Sequence, residues 1–396
     1  MRPSILTERQ YLTYLSGSVF STQGLWIQRM TIGWMMWEFT RSETWLGALA
    51  FLMFFPTVIF GPLFGVMVDR VNRQYAAIVT SIILAVIAGA LAVVVNLQLD
   101  NEYLLLIFAT VIGIANSAYQ SIRLSFVPEL VSAKNMPKAV AINAILYNTS
   151  RFIGPMLAGL LMVEFGHPTT LFVVAFFYLP LTLVLCLIKV PTKPITHAKQ
   201  FTFFTDIKAG VSYAYNSKLI SQLLIVIAIS ALLGRGLLEI LPATVDVIYN
   251  MGVQELAWLN SAVGVGSIIS ALMLSNPTPN KLIRAVIIGS IGSGALLIFF
   301  MMTNQFVIGL LIIGGLGFCA TLCGVGTQSL LQSTVPSEFR GRIMSLWGSI
   351  NIGVGAIGGL LFGIMTEYFG YPISLVTLGS LCILCAYFST KDKIQL

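Results

Sequence analysis

Three arginines and one glutamate stand where charge is costly. Arg29, Arg151, Arg235 and Glu239 interrupt runs of membrane-spanning length that are otherwise apolar. A charged side chain at the centre of a lone membrane helix costs about 2.5–3.5 kcal/mol on insertion scales. Such groups must face water, a bound molecule or one another. Guanidinium groups in that setting can hold an anion, because they keep their charge and present forked donors. Glu239 follows Arg235 by four residues, which places both on one face of a helix. The pair can simply neutralise itself, or it can open when the carboxylate takes up a proton, and the residues alone leave both readings open. His167 and His197 fall in predicted loops and cannot serve as the buried titrating group.

Polar and aromatic residues gather near these charges. The first apolar run carries Gln23, Trp26, Gln28, Arg29, Trp34 and Trp37, of which Gln23 and Trp26 suit a site wall, while Trp37 and Glu38 read as an interfacial belt. The fifth carries Asn143, Tyr147, Asn148 and Arg151 at spacings of four, one and three, and the fourth carries Asn116, Ser117, Tyr119 and Gln120. Candidate substrate contacts are therefore Arg29, Trp26, Gln23, Gln120, Asn143, Tyr147, Arg151 and Arg235, with Glu239 as the candidate proton-coupling group. The sequence offers no phosphate-binding loop of the form Gly-x-x-x-x-Gly-Lys-Ser/Thr, no cluster of metal ligands and no nucleophile with its base, so an enzyme or ATPase finds no support and no cofactor is expected. The five cysteines lie in apolar runs and read as small buried hydrophobes.

The elements that must position these side chains follow from composition. With 57% hydrophobic and 9% charged residues, the chain cannot cover a soluble surface, which normally needs roughly 25% charge. An all-α membrane protein is expected, with twelve transmembrane helices in two pseudo-symmetric six-helix halves. The predicted spans are 11–38, 44–68, 75–97, 102–124, 138–163 and 168–190, then 217–246, 253–275, 281–302, 304–330, 341–366 and 370–390. This gives an N-terminal half at 1–190, a connector at 191–216 and a C-terminal half at 217–396. Of twenty-two bases, eighteen fall on one set of turns and only Arg41 on the other, where Glu43, Asp100, Glu102, Glu164, Asp246, Glu255 and Glu367 collect. Bases favour the cytoplasmic side, so both termini are expected there, Met1–Gln10 reads as a cytoplasmic tail, and the net charge of +7 needs no nucleic-acid partner.

The halves repeat. Gly154, Gly159, Phe165, Gly166 and Pro168 recur 204 residues later as Gly358, Gly363, Phe369, Gly370 and Pro372, and Arg29 lies 206 residues before Arg235. A repeat of six-helix halves suits a rocker that binds substrate near the midplane.

Between the second and third runs the chain turns sharply through Gly65, Asp69, Arg70 and Arg73. This stretch resembles the signature Gly-x-x-x-Asp-Arg-x-Gly-Arg-Arg/Lys of the major facilitator superfamily, with Asn72 for the glycine and Gln74 for the last base. Gly65 is expected to let two backbones approach, and Asn72 to accept φ > 0. The resemblance implies that Asp69 gates access by packing near Gly341 and Arg342, and that Arg29 and Arg235 project into a central cavity. Asn148, Arg151, Gly154-Pro155 and Gly159 resemble the branch of enterobactin exporters and macrolide efflux pumps, and in part the helix-five motif of antiporters, with Ser150 and Ala158 departing from the latter. What the resemblance implies is a secondary transporter of the inner membrane, monomeric among lipids, exporting a siderophore-like anionic or amphiphilic small molecule or drug against protons. An importer of a ferric siderophore, a lysophospholipid flippase and a non-transporting receptor are the alternatives.

Overall fold

The computed structural model describes residues 8–68, 70–132, 134–188, 203–275 and 278–391; Asp69, His197 and residues 189–202 of the connector region lie outside them. Twelve membrane helices follow one another in the order the sequence predicts, with one further helix, Phe203–Asn216, ahead of the seventh. Two of the connections are single glycines. Helical hydrogen bonding runs through Met136–Leu187, 52 residues, except that Gly166 takes φ 76. A straight helix of that length would reach about 78 Å, far beyond a hydrocarbon core of ~30 Å. The break therefore separates helix five from helix six. Gly370 does the same for helices eleven and twelve, again at φ 76 and again two residues before a proline. Any residue with a Cβ is strained there, which explains why the repeat preserves both glycines.

The chain forms two compact units, residues 1–39 with 56–201, and residues 40–55 with 202–396. The division falls inside the second run, Glu43–Val68, where the helix is interrupted at Phe55 before Pro56. Proline lacks the donor that a continuing helix needs.

In the first unit, helices one, three, four, five and six enclose an apolar cluster that includes Tyr11, Tyr14, Ala77, Phe126, Leu130, Ala139 and Leu185. The turn after helix two is built for clamping. Asn72 has φ −65 and caps helix three by accepting from the Tyr75 amide at 3.0 Å, so positive φ is not what this position requires. Arg73 pairs with Glu129 at 2.8 Å and donates to the Ser125 carbonyl at 3.4 Å, while Gln74 donates to the Leu185 and Ile188 carbonyls at 2.7 and 2.6 Å. The start of helix three thus satisfies orphan carbonyls at the end of helix six and ties itself to helix four through Arg73. Gly65 does not serve close packing here, since an added Cβ would meet nothing within 4 Å. Arg70 is exposed. Helix four runs to Leu130, past its predicted end at 124.

Glu8 closes the same end of this unit by accepting from the Ser132 hydroxyl at 2.6 Å, the Asn135 amide at 3.0 Å and the Ser132 backbone at 3.1 Å. These donors favour the charged form and hold its carboxyl below the usual carboxylate range. A depressed folded pKa contributes stability above the unfolded value near 4.3 and loses it as pH falls through the folded value. Glu8→Gln should accordingly lower the melting temperature of the detergent-solubilised protein at neutral pH. That gap should close in acid; an equal gap at all pH values would assign Glu8 a packing role alone.

In the second unit, helix seven is composite: Lys218–Ile229 is α-helical, Ser230–Gly234 is a π-turn, Gly236–Glu239 is 3-10, and Leu241–Tyr249 resumes the α-helix. The start of helix two packs on helix eleven, where Gly363 would place a Cβ 2.2 Å from the Glu43 carbonyl. Ser42 donates to Glu367, and Arg41 pairs with Asp246.

Candidate substrate and proton sites

Each unit holds one of the predicted charge clusters. In the first, the indole of Trp26 is the centre. Arg29 lies one turn further along helix one with its guanidinium carbon 5.3 Å from the ring centroid, and Arg151 comes from helix five to 5.6 Å. Tyr147, one turn before Arg151, meets the same indole edge-on at 5.5 Å and 63°. Cation–π contacts contribute roughly 0.5–2 kcal/mol each, most where water is excluded. Trp26 itself is 7% exposed, whereas both arginines are half-buried. Helix five can come this close because residue 154 has no side chain: an added Cβ would lie 2.5 Å from the Trp26 Cβ and 3.2 Å from the Gln23 Oε1. Gly154→Ala is therefore expected to push the helices apart at an overpacking cost of about 1–3 kcal/mol. Thermal unfolding in detergent checks it, and an unchanged midpoint would show that the contact relaxes freely.

The indole N–H and the Gln23 Oε1 are buried without a hydrogen-bond partner among the described residues. Isolated polar atoms of this kind cost about 1–3 kcal/mol each unless water or a ligand meets them. Gln28 is 2% exposed and accepts from the Tyr178 hydroxyl at 3.5 Å. Of the remaining candidates, Gln120 is exposed on helix four and Asn143 lies two turns before Arg151; the nearby Asn148 spends its amide on the Ala144 carbonyl at 2.9 Å. At the end of helix one, Trp37 is 3% exposed and is no interfacial belt. Glu38 there accepts from the Trp34 indole at 2.7 Å and lies 3.3 Å from His167, which opens helix six and does not occupy a loop.

In the second unit, Arg235 and Glu239 are 3.9 Å apart, the glutamate 7% exposed at its side chain. The contact does not arise from a regular helix, since Arg235 stands between the π-turn and the 3-10 turn at φ −127. Helix eleven supplies a partner that the spacing arguments missed. Asn351 accepts from Arg235 at 3.5 Å, and it lies in a second π-turn, Ile350–Val354. Its signal was an amide alone in the apolar run Ile350-Asn351-Ile352. Gly359 keeps the wall behind Glu239 thin, for a Cβ there would lie 3.0 Å from the Glu239 Cβ and Cγ. Single π-turns often mark functional sites, and two of them meet at this ion pair. The three cysteines Cys319, Cys323 and Cys382 are buried, but Cys186 is exposed.

The two clusters share a register. Gly154 abuts Trp26 in the first unit; 204 residues on, Gly358 abuts Leu232, which is 206 residues after Trp26. The arginine of helix one recurs as Arg235, but the indole is replaced by leucine and Arg151 by Gly355. The repeat supplies the frame, and among the described residues the aromatic platform with two cations belongs to the first unit.

Comparison with known proteins gives the same class. The family model of transmembrane secretion effectors, a group of the major facilitator superfamily, matches residues 6–395. The Staphyloferrin A transporter of Staphylococcus aureus is 20% identical over 410 residues, covering 97% of this chain and 96% of that one. The Enterobactin exporter EntS of Shigella boydii is 25% identical over 347 residues, covering 82% and 78%. Among solved structures, the nucleoside transporter NupG matches with a TM-score of 0.74 at 14% identity over 96% of this chain and 98% of that one. The D-xylose-proton symporter matches at 0.72 and 15% over 99% and 100%. At these identities the solved structures speak for the fold alone.

Proposed function

The chain belongs to the transmembrane secretion effectors of the major facilitator superfamily, a multi-pass membrane transporter and not an enzyme, and from that premise we propose that it exports an anionic, siderophore-like small molecule by proton-coupled alternating access. The observation that carries the substrate class is the Trp26 indole with Arg29 and Arg151 both within 5.6 Å of its centroid. Two like charges held near one ring repel. A bound anion offsets that repulsion and gains charge-assisted contacts. Relatives named as a staphyloferrin A transporter and an enterobactin exporter support a siderophore, and the latter supports export. Arg235 and Glu239 form the proton-coupling site of this reading, with Gly65, Asp69, Arg70 and Arg73 as its gating turn. The halves are 1–190 and 217–396, both termini are cytoplasmic, the membrane is the inner one, and the unit is a monomer.

Transport in vesicles of opposite orientation tests the proposal. Inverted vesicles loaded by a pH step should accumulate a catecholate or carboxylate siderophore, and right-side-out vesicles should not. Accumulation only in right-side-out vesicles would make the protein an importer. Lysophospholipid movement without siderophore flux would make it a flippase, and binding without flux in either orientation would make it a receptor.

A further inference from the structure

We propose that the helix Phe203–Asn216 is an in-plane membrane anchor that binds anionic lipid headgroups. Its segment Lys208–Asn216 meets Lys218–Gly234 at 109°. Helix seven crosses the bilayer, so a neighbour at nearly a right angle to it runs along the membrane surface. Packing fixes its rotation. Gly210 lies where a Cβ would be 3.2 Å from the Arg342 Cβ, Tyr213 stacks on Phe339 with centroids 4.3 Å apart and planes at 7°, and Ala214 is buried in the cluster with Leu282 and Ile343. The opposite face, at positions 208, 211, 212 and 215, is turned away from the protein. It carries Lys208, Val211, Ser212 and Tyr215, with Tyr215 at 85% exposure and Val211 at 50%. An outward face with apolar side chains beside a lysine is the composition of a helix resting at the headgroup boundary, apolar groups inward and ammonium outward.

The charge around it selects the lipid. Helices seven, nine and eleven all begin at this end of the second unit, and they bring exposed Lys218, Lys281, Arg284 and Arg340 and half-buried Arg342 beside Lys208. Against these six bases stand Glu338 and, on the helix itself, Asp206. A surplus of bases at a membrane surface attracts anionic headgroups, each base near the surface contributing a factor of about five in affinity. The predicted connector at 191–216 is thus in part a helix with a partner of its own, and the inference stands whatever the transported molecule is.

The test places a nitroxide or a bimane on Tyr215→Cys and, separately, on Val211→Cys, with the native cysteines replaced by alanine. The protein is reconstituted in phosphatidylcholine alone or mixed with phosphatidylglycerol. The nitroxide should be reached by oxygen more readily than by a water-soluble nickel chelate. The bimane should be quenched more by spin-labelled phosphatidylglycerol than by spin-labelled phosphatidylcholine, and Lys208→Gln with Arg340→Gln should reduce that preference at least several-fold. A label reached first by the nickel chelate would make the helix a solvated connector, one shielded from both reagents would mean that protein covers the face, and equal quenching by the two lipids would remove the anionic preference; each overturns the proposal.

Discussion

Arg151→Gln is expected to weaken binding of an anionic siderophore by roughly ten- to a hundredfold, and Arg29→Gln by a similar factor. The magnitude follows from losing a charge-assisted contact, about 1.5–3 kcal/mol, and both residues address the same indole at 5.6 and 5.3 Å. The effects of the two should not add, because groups that share one partner couple. Trp26→Leu places in the first unit the residue that the second carries at the equivalent position, Leu232. It should weaken the same ligand while sparing the small residues that let helix five approach. Binding to the purified protein, followed by tryptophan fluorescence for the arginine variants and by calorimetry for all three, reads these differences. A neutral ligand of similar size is the control. If the arginine variants lose neutral and anionic ligands equally, or if their melting temperatures fall in step with affinity, the arginines hold the helices together and recognise nothing.

How far the sequence could be read differs between fold and site, and for physical reasons. Apolar length and the glycine-proline pairs at Gly166 and Gly370 are local, so twelve helices and the repeat were legible. The clamps of the turn after helix two were not. Arg73 finds Glu129 56 residues away, and Gln74 finds carbonyls 111 and 114 residues away. Partners at that separation are set by how helices pack, and no short motif announces them. Helix rotation was equally hidden. A helix that is apolar all round has no periodicity to say which side meets protein, so Trp37 read as an interfacial residue although packing buries it. The four charges within the spans were legible because charge in an apolar run is rare and expensive. That Arg29 and Arg151 share one ring needed the structure, since it depends on Gly154 admitting Trp26.

The helical spacing of Arg235 and Glu239 gave the right pair through the wrong geometry, and the difference bears on coupling. In a regular helix an i,i+4 pair is a surface contact of small energy that solvent can replace. Here the two are joined by a 3-10 turn that a π-turn precedes, Asn351 holds the arginine from a second π-turn, and the missing side chain of Gly359 leaves room for that of Glu239. Irregular turns within a helix often mark a hinge or a functional site. The Glu239 side chain is 7% exposed, where an uncompensated charge would be costly. In the proposed coupling, Glu239 takes a proton when the arginine turns to a substrate anion and releases it when the pair re-forms. On that proposal, binding of anion and binding of proton are linked through one guanidinium.

Glu239→Gln removes the proton-binding group and keeps the shape. Gradient-driven accumulation of substrate in proteoliposomes should then be abolished, while downhill exchange continues. One proton crossing a potential of 100 mV yields about 2.3 kcal/mol, close to a fiftyfold concentration ratio, and that ratio should collapse to unity in the variant. Asn351→Ala supplies the intermediate case: both members of the pair stay but Arg235 loses the amide oxygen it donates to, so accumulation should persist at a lower rate. The decisive reading is flux after an imposed pH step. If Glu239→Gln follows the step as the unmodified protein does, Glu239 merely neutralises Arg235, and the proton travels by another group or the transporter is a facilitator.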